Sequence, residues 1–192
     1  MRFRLGELKR LVREAAMTAG TVPHDVGLIV KESRGHVTLA LVRLPDIERA
    51  LSGHAQAVPE QAVVGSINVH MFDVWRVTNV RSMRGYGPLL YRLAMQYATQ
   101  HGSALSSDPD GQTSPAAQAV WDRFAEQPDV ETIFLDEEHG DQRDIAYQLE
   151  GDDGAELARR YESLLAGLDR SSRDRLDELI DDALWVAMSA AG

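Results

Sequence analysis

The sequence predicts an α/β fold of the α+β kind: a mixed, mostly antiparallel sheet flanked by helices, with an acidic helical hairpin at its C-terminal end. Three observations carry this. Strand-like runs crowd the first 80 residues, with short turns between them. A glycine turn, Met83-Arg84-Gly85-Tyr86-Gly87-Pro88-Leu89, then separates the strand-like Trp75 to Arg81 from a helical run. Beyond Gly151 the apolar residues fall on helical stripes only. Strands alternate with helices only in the second half, which argues for a mixed sheet over a doubly wound one. The chain accordingly divides into an N-terminal amphipathic helix (1–20), a central domain (21–150) and the hairpin (151–192).

In chain order, Leu5, Leu8, Leu11 and Ala15 recur at helical spacing with Lys9, Arg10 and Arg13 between them. This is a short basic helix, packed on the domain or serving as a docking peptide, ending near Gly20. Val26 to Lys31 and His36 to Arg43 flank a Gly-containing turn and read as a β-hairpin. Pro45 opens a helical piece over Asp46 to Leu51, and Ser52 to Glu60 is a loop. Ala62 to Phe72 is a third strand, with Gly65 where a bulge would sit. The helix after the glycine turn runs from Leu89 to His101, with Leu90, Leu93, Ala94 and Tyr97 inward.

Ala104 to Ser106 is a short strand. Ser114-Pro115 is an N-cap followed by proline at the first helical position, opening a helix that reaches about Glu126. Thr132 to Leu135 and Ala146 to Leu149 are further strands. Leu157, Tyr161, Leu164, Leu165 and Leu168 form one helical stripe, and Leu176, Leu179, Ile180, Leu184 and Ala187 another. Ser171-Ser172 is the expected cap between them, and the pair either packs on the domain or joins a second copy.

Composition narrows the function. The chain has 192 residues, a formal net charge of -10 and no cysteine, so disulfides, thiolate nucleophiles and cysteine-ligated zinc are excluded. Residues 129–192 hold 6 Lys+Arg against 18 Asp+Glu, whereas residues 1–128 hold 14 against 12. The acid sits in the tail, and stable nucleic-acid binding is not expected. No apolar run approaches the roughly 20 residues of a membrane span. The charged start Met1-Arg2-Phe3-Arg4-Leu5 argues against a signal peptide, so a cytoplasmic location is expected. The six histidines lack metal-ligand spacing, and no metal site is expected.

The glycine turn is where the sequence points at chemistry. A tight turn between strand and helix leaves backbone N–H groups at a positive helix N-terminus, where phosphate binds. With the element order, Arg84-Gly85-Tyr86-Gly87-Pro88-Leu89 resembles the phosphate-binding signature of the GNAT N-acetyltransferase superfamily: Arg or Gln, two residues, Gly, one residue, then Gly or Ala. Leu89 stands at the last position, and Pro88 removes one N–H. Downstream, Ser114, Ala117, Val120 and Trp121 resemble the late helix of that family, with Trp121 where a tyrosine often protonates the leaving thiolate. The resemblance covers about residues 25 to 150, and the wording of both segments is similar to a GNAT-like group associated with bacteriophages.

The resemblance implies acetyl-CoA, or a related acyl-CoA, as cofactor and an amine, small-molecule or protein-borne, as acceptor. It implies cofactor binding by Val80, Arg84, Gly85, Tyr86, Gly87, Leu89, Ser114 and Ala117, with the Val80 N–H polarising the thioester carbonyl. His70, near the end of the third strand, is the expected base, with Asp73 next; Asp108 and Asp110 lie where a cationic substrate would be met. Two classes stay open: an N-acyltransferase, or a catalytically inactive GNAT-like binding or phage virion-associated protein. A homodimer or a larger phage assembly is compatible with either.

Overall fold

A computed structural model describes residues 22–54, 58–107, 113–135 and 145–189. Seven strands form one sheet in the order β1-β2-β3-β4-β5-β7-β6. β1 (Val26–Ser33) and β2 (His36–Arg43) are joined through Arg34-Gly35, with Ser33 opposite His36 and Gly35 at φ 77°. That left-handed conformation is cheap for glycine alone. β3 (Val63–His70) and β4 (Trp75–Ser82) continue the antiparallel meander. β5 (Leu105–Ser106) then pairs parallel to β4, and β7 (Ile145–Leu149) inserts antiparallel between β5 and β6 (Val130–Phe134). The mixed, mostly antiparallel α+β architecture is the one the sequence predicts.

Five helices flank the sheet: α1 (Leu44–Arg49), α2 (Gly87–Gln100), α3 (Pro115–Ala125), α4 (Asp153–Ala166) and α5 (Arg170–Ser189). The central strands are apolar on both faces because both faces are covered. In β2, Leu39 and Leu41 join a core under α2 with Ile67, Leu89, Leu90 and Leu93. Their neighbours Ala40 and Val42 face the other way, toward Ile47 of α1 and Leu176 and Ile180 of α5. Burying one such leucine or isoleucine is worth roughly 1.5–3 kcal/mol, so both layers hold the sheet.

The hairpin is part of this core. Leu157 and Tyr161 of α4 are buried beside β1, and Leu176, Ile180, Ala183 and Leu184 of α5 form the expected stripe. Arg160 of α4 donates to the carbonyls of Pro23 (3.1 Å) and Val26 (3.4 Å), covering the exposed end of edge strand β1. The cap of α5 differs from expectation. Asp169, not Ser171 or Ser172, accepts the Ser172 N–H at 2.8 Å, and that bond holds its carboxyl below the usual range. Ser114 does cap α3, its Oγ accepting from the Ala117 N–H at 3.2 Å.

Other differences are local. α1 begins at Leu44, two residues before the expected start, because Pro45 takes a first-turn position where its missing N–H costs nothing. A π-helical turn, Ala50–His54, follows where helix and loop were expected. The expected bulge near Gly65 is present: Leu41 pairs with Gly65 but Val42 with Val63, leaving Val64 as the extra residue. A second bulge, which the sequence did not announce, makes Thr78 the extra residue of β4. The N-terminal amphipathic helix lies outside the described residues. Among those described, no helix is long and apolar enough to cross a membrane.

Candidate functional site

The site begins with a strand that loses its neighbour. β4 pairs with β3 from Arg76 to Ser82, but with β5 only at Trp75 and Arg76. From Val77 onward its second edge has no strand beside it among the described residues. Met83 donates its N–H to the Val64 carbonyl (2.8 Å), toward β3. Strand alternation then turns the N–H groups of Val80 and Ser82 away from β3, to the open edge. The extra residue Thr78 is what sets this phase, since Trp75 upstream also donates outward, to Ala104 at 2.9 Å.

That edge runs into the glycine turn. Gly85 sits at φ 97°, and the Tyr86 N–H closes on the Met83 carbonyl at 3.2 Å. α2 then starts at Gly87, with Pro88 in its first turn and no acidic side chain there. The first N–H groups of a helix have no acceptor within it, so those of Gly87 and Leu89 remain at its positive end. The Leu89 side chain is fully buried in the core under α2. A leucine at this position therefore leaves the helix end clear. Gly87 is held close: a Cβ there would stand 3.2 Å from Ser82 Oγ. Gly65 is closer still, since its Cβ would meet Leu90 at 2.8 Å and the Arg81 carbonyl at 3.1 Å. These two glycines let the turn, the end of β4 and α2 pack against one another. A cleft of about 660 Å³ borders Gly65 and the end of β4, lined by Val64, Gly65, Val80, Arg81, Ser82 and Met83 among others.

α3 reaches the same region through aromatic contacts. Trp121 stacks on Tyr147 of β7, centroids 5.2 Å apart, and meets Tyr91 of α2 edge-on at 5.0 Å. Ala117 packs on the core one turn before Trp121, with capped Ser114 at the helix start. Tyr91 lies one turn beyond Gly87, and burial pushes its hydroxyl up to about 12. Burial also raises Tyr147, helped by Asp122. Neither hydroxyl has a hydrogen-bond partner among the described residues, and neither is sealed from solvent. These tyrosines escaped the sequence reading; the i, i+4 spacing of Gly87 and Tyr91 was the available signal for the first.

Val80, Arg84, Gly85, Tyr86, Gly87 and Leu89 thus come together at the end of β4, as expected. His70 does not join them. It pairs with Arg76, whereas Val80 pairs with Ile67. The three residues of β3 from His70 to Ile67 span about 10 Å at a strand rise of about 3.3 Å. The His70 ring instead stacks on His36, centroids 4.2 Å apart, and tilts against Phe72 at 3.7 Å. The register thus sets the end of β3, with His70, beside the start of an antiparallel β4 and away from Val80. Asp73, in the turn after β3, is farther still. Asp108 and Asp110 lie outside the described residues.

Comparison with known proteins gives little to set beside this geometry. No protein-family model matches the chain, and no solved structure matches it. A protein named glucose-6-phosphate isomerase from Rubrobacter xylanophilus is 30% identical over 206 residues. The alignment covers 97% of this chain and 45% of that protein, so the chain spans less than half the length of its curated relative.

Proposed function

We propose that the chain is an acyl-CoA-dependent N-acyltransferase of the GNAT type, transferring an acetyl or related acyl group to an amine. The observation that carries this reading is the open edge of β4 running directly into the bare N-terminus of α2. The diphosphate of coenzyme A binds the N–H groups of Gly87 and Leu89 at the helix end, with Arg84 and Gly85 in the same turn. The pantetheine arm extends along β4 past Ser114 and Ala117, replacing the absent strand. The thioester carbonyl accepts from the Val80 N–H, which stabilises the oxyanion as the amine nitrogen bonds to the carbonyl carbon. Collapse breaks the C–S bond, the nitrogen loses a proton to solvent, and the thiolate takes one. Burial holds the Tyr91 hydroxyl up at about 12, far above an ordinary thiol at about 8.5, so Tyr91 keeps its proton and the thiolate takes its proton from solvent.

A second reading is a non-catalytic binding protein of the same fold, in an assembly such as a phage particle. Trp121, buried between two tyrosines, lacks an acidic proton, and Trp185 and Val186 of α5 stand 69% and 49% exposed. Calorimetry with acetyl-CoA, followed by thiol release in the presence of amines, separates the readings. Binding with thiol release supports the enzyme, binding alone supports the second reading, and no binding at millimolar ligand rejects the cofactor site. Glucose 6-phosphate belongs in the same titration, given the relative's name; its isomerisation by this chain would replace both readings.

A further inference from the structure

The sheet face opposite α2 carries a charge pattern at odds with the acidic chain. Pairing across three strands sets His36 of β2, His70 of β3 and Arg76 of β4 in one row on that face. Neighbouring strands are about 4.8 Å apart, so the row spans roughly 10 Å, with the Phe72 ring packed against both the His70 ring and the Arg76 guanidinium. The two imidazoles are stacked at 4.2 Å and 12°, and Arg76 lies 5.9 Å over the Phe72 ring, which steadies its guanidinium. Arg34 stands exposed in the adjoining β1–β2 turn. The acids of α5 and β1 have partners of their own, and Lys31, opposite Thr38, stands on this same face. Asp181 and Asp177 of α5 engage Lys31, at 2.5 and 3.9 Å, and Glu32 accepts from the Tyr97 hydroxyl on the opposite face. Asp73 is the exposed acid in the turn beyond.

The next row toward the open edge is neutral and polar. Thr38 donates to Asn68 Oδ1 at 2.9 Å, Asn68 pairs with Asn79, and the Thr78 bulge lies beside them. Val80 follows. We propose that the His36–His70–Arg76 row binds the anionic group, a phosphate or a carboxylate, of the acceptor amine. Complementarity argues for it: a row of nitrogen donors that includes the Arg76 guanidinium, a neutral polar row and the reactive edge succeed one another along β4. The spacing asks for an amine roughly 10 Å from its anion, since the rows advance at about 3.3 Å per residue. His70 then serves in acceptor recognition, not as the base. The word acceptor rests on the acyltransferase reading; the anion site does not.

The test follows the His36 and His70 ring signals by NMR, assigned with His36→Gln and His70→Gln, during titration with inorganic phosphate and with succinate. Sodium chloride at matched ionic strength is the control. Saturable shifts from phosphate or succinate are expected, and the tighter of the two names the anion. Arg76→Gln is expected to weaken the response about tenfold, the size of a lost charged hydrogen bond, with Arg76→Lys in between and Gly87→Glu without effect. Equal shifts with chloride, or an undiminished response in Arg76→Gln, overturn the proposal. Failure of acetyl-CoA to bind the same sample rejects the acyltransferase reading and leaves the histidine response to stand by itself. If acetyl-CoA does bind, glucosamine 6-phosphate should outpace glucosamine as acceptor in wild type if phosphate is the anion, and lose that advantage in Arg76→Gln.

Discussion

The two ends of α2 are treated in opposite ways. From Arg92 onward the helix is tied down repeatedly. Arg92 bonds Asp153 at 2.7 Å and Asp129 at 3.1 Å, and Gln96 bonds the same Asp153 carboxylate at 2.8 Å. Thr99 accepts the Leu149 N–H, and Gln100 donates to the Gly151 carbonyl. Burial alone would lower the Arg92 guanidinium, but the two carboxylates more than offset it. The first turn, Gly87 to Leu89, has no side-chain cap and no acidic residue. A helix anchored along its second half can leave its first turn exposed to a ligand without fraying. That division of labour, rigidity at one end and unsatisfied N–H groups at the other, is what a preorganised anion site requires.

Four measurements break or sharpen this contrast. Leu90 is fully buried where α2 meets β3, so Leu90→Ala should cost about 3 kcal/mol, read as a lowered denaturation midpoint, and weaken both ends together. Alkaline titration comes next. The Tyr91 hydroxyl is raised from 10.0 to about 12 in the fold, so its contribution is present below pH 10 and lost as pH rises toward 12. At about 1.4 kcal/mol per pKa unit Tyr91 loses roughly 3 kcal/mol, read in urea unfolding as the part of the alkaline loss that Tyr91→Phe removes, since Tyr97, Tyr147 and Tyr161 are raised as well. Arg92→Ala should cost about 2 kcal/mol by removing its charged hydrogen bonds to Asp153 and Asp129, with Gln96 left to hold Asp153, while acetyl-CoA affinity stays within about twofold. Gly87→Glu should move stability least, by less than about 1 kcal/mol, yet abolish acetyl-CoA binding by setting a carboxylate against the diphosphate.

Much of the fold was legible in the sequence. Period-two and helical apolar patterns gave nearly every element, because each strand or stripe meets a covered face. Ser114-Pro115 announced its helix, and Arg84–Leu89 announced the turn. What escaped was set by pairing. The short strand at Ala104 to Ser106 was legible, but not that it meets β4 only at Trp75 and Arg76 and so opens β4 beyond them. The insertion of β7 between β5 and β6 is non-sequential, and the Thr78 bulge depends on register alone. The place of His70 was hidden for the same reason: proximity along the chain to β4 says nothing of which end of β4 it meets. Trp121 and Tyr91 are distant in sequence and meet only once α2 and α3 pack together.

Amide NMR with acetyl-CoA tests the central claim most directly, because it reads both ends of α2 in one titration. The account expects the largest shifts at Val80, Gly85, Gly87 and Leu89, with smaller ones at Ser114 and Ala117, and little change from Gln96 to Gln100. Shifts confined to the tied end of the helix, or absent altogether at saturating ligand, would contradict it.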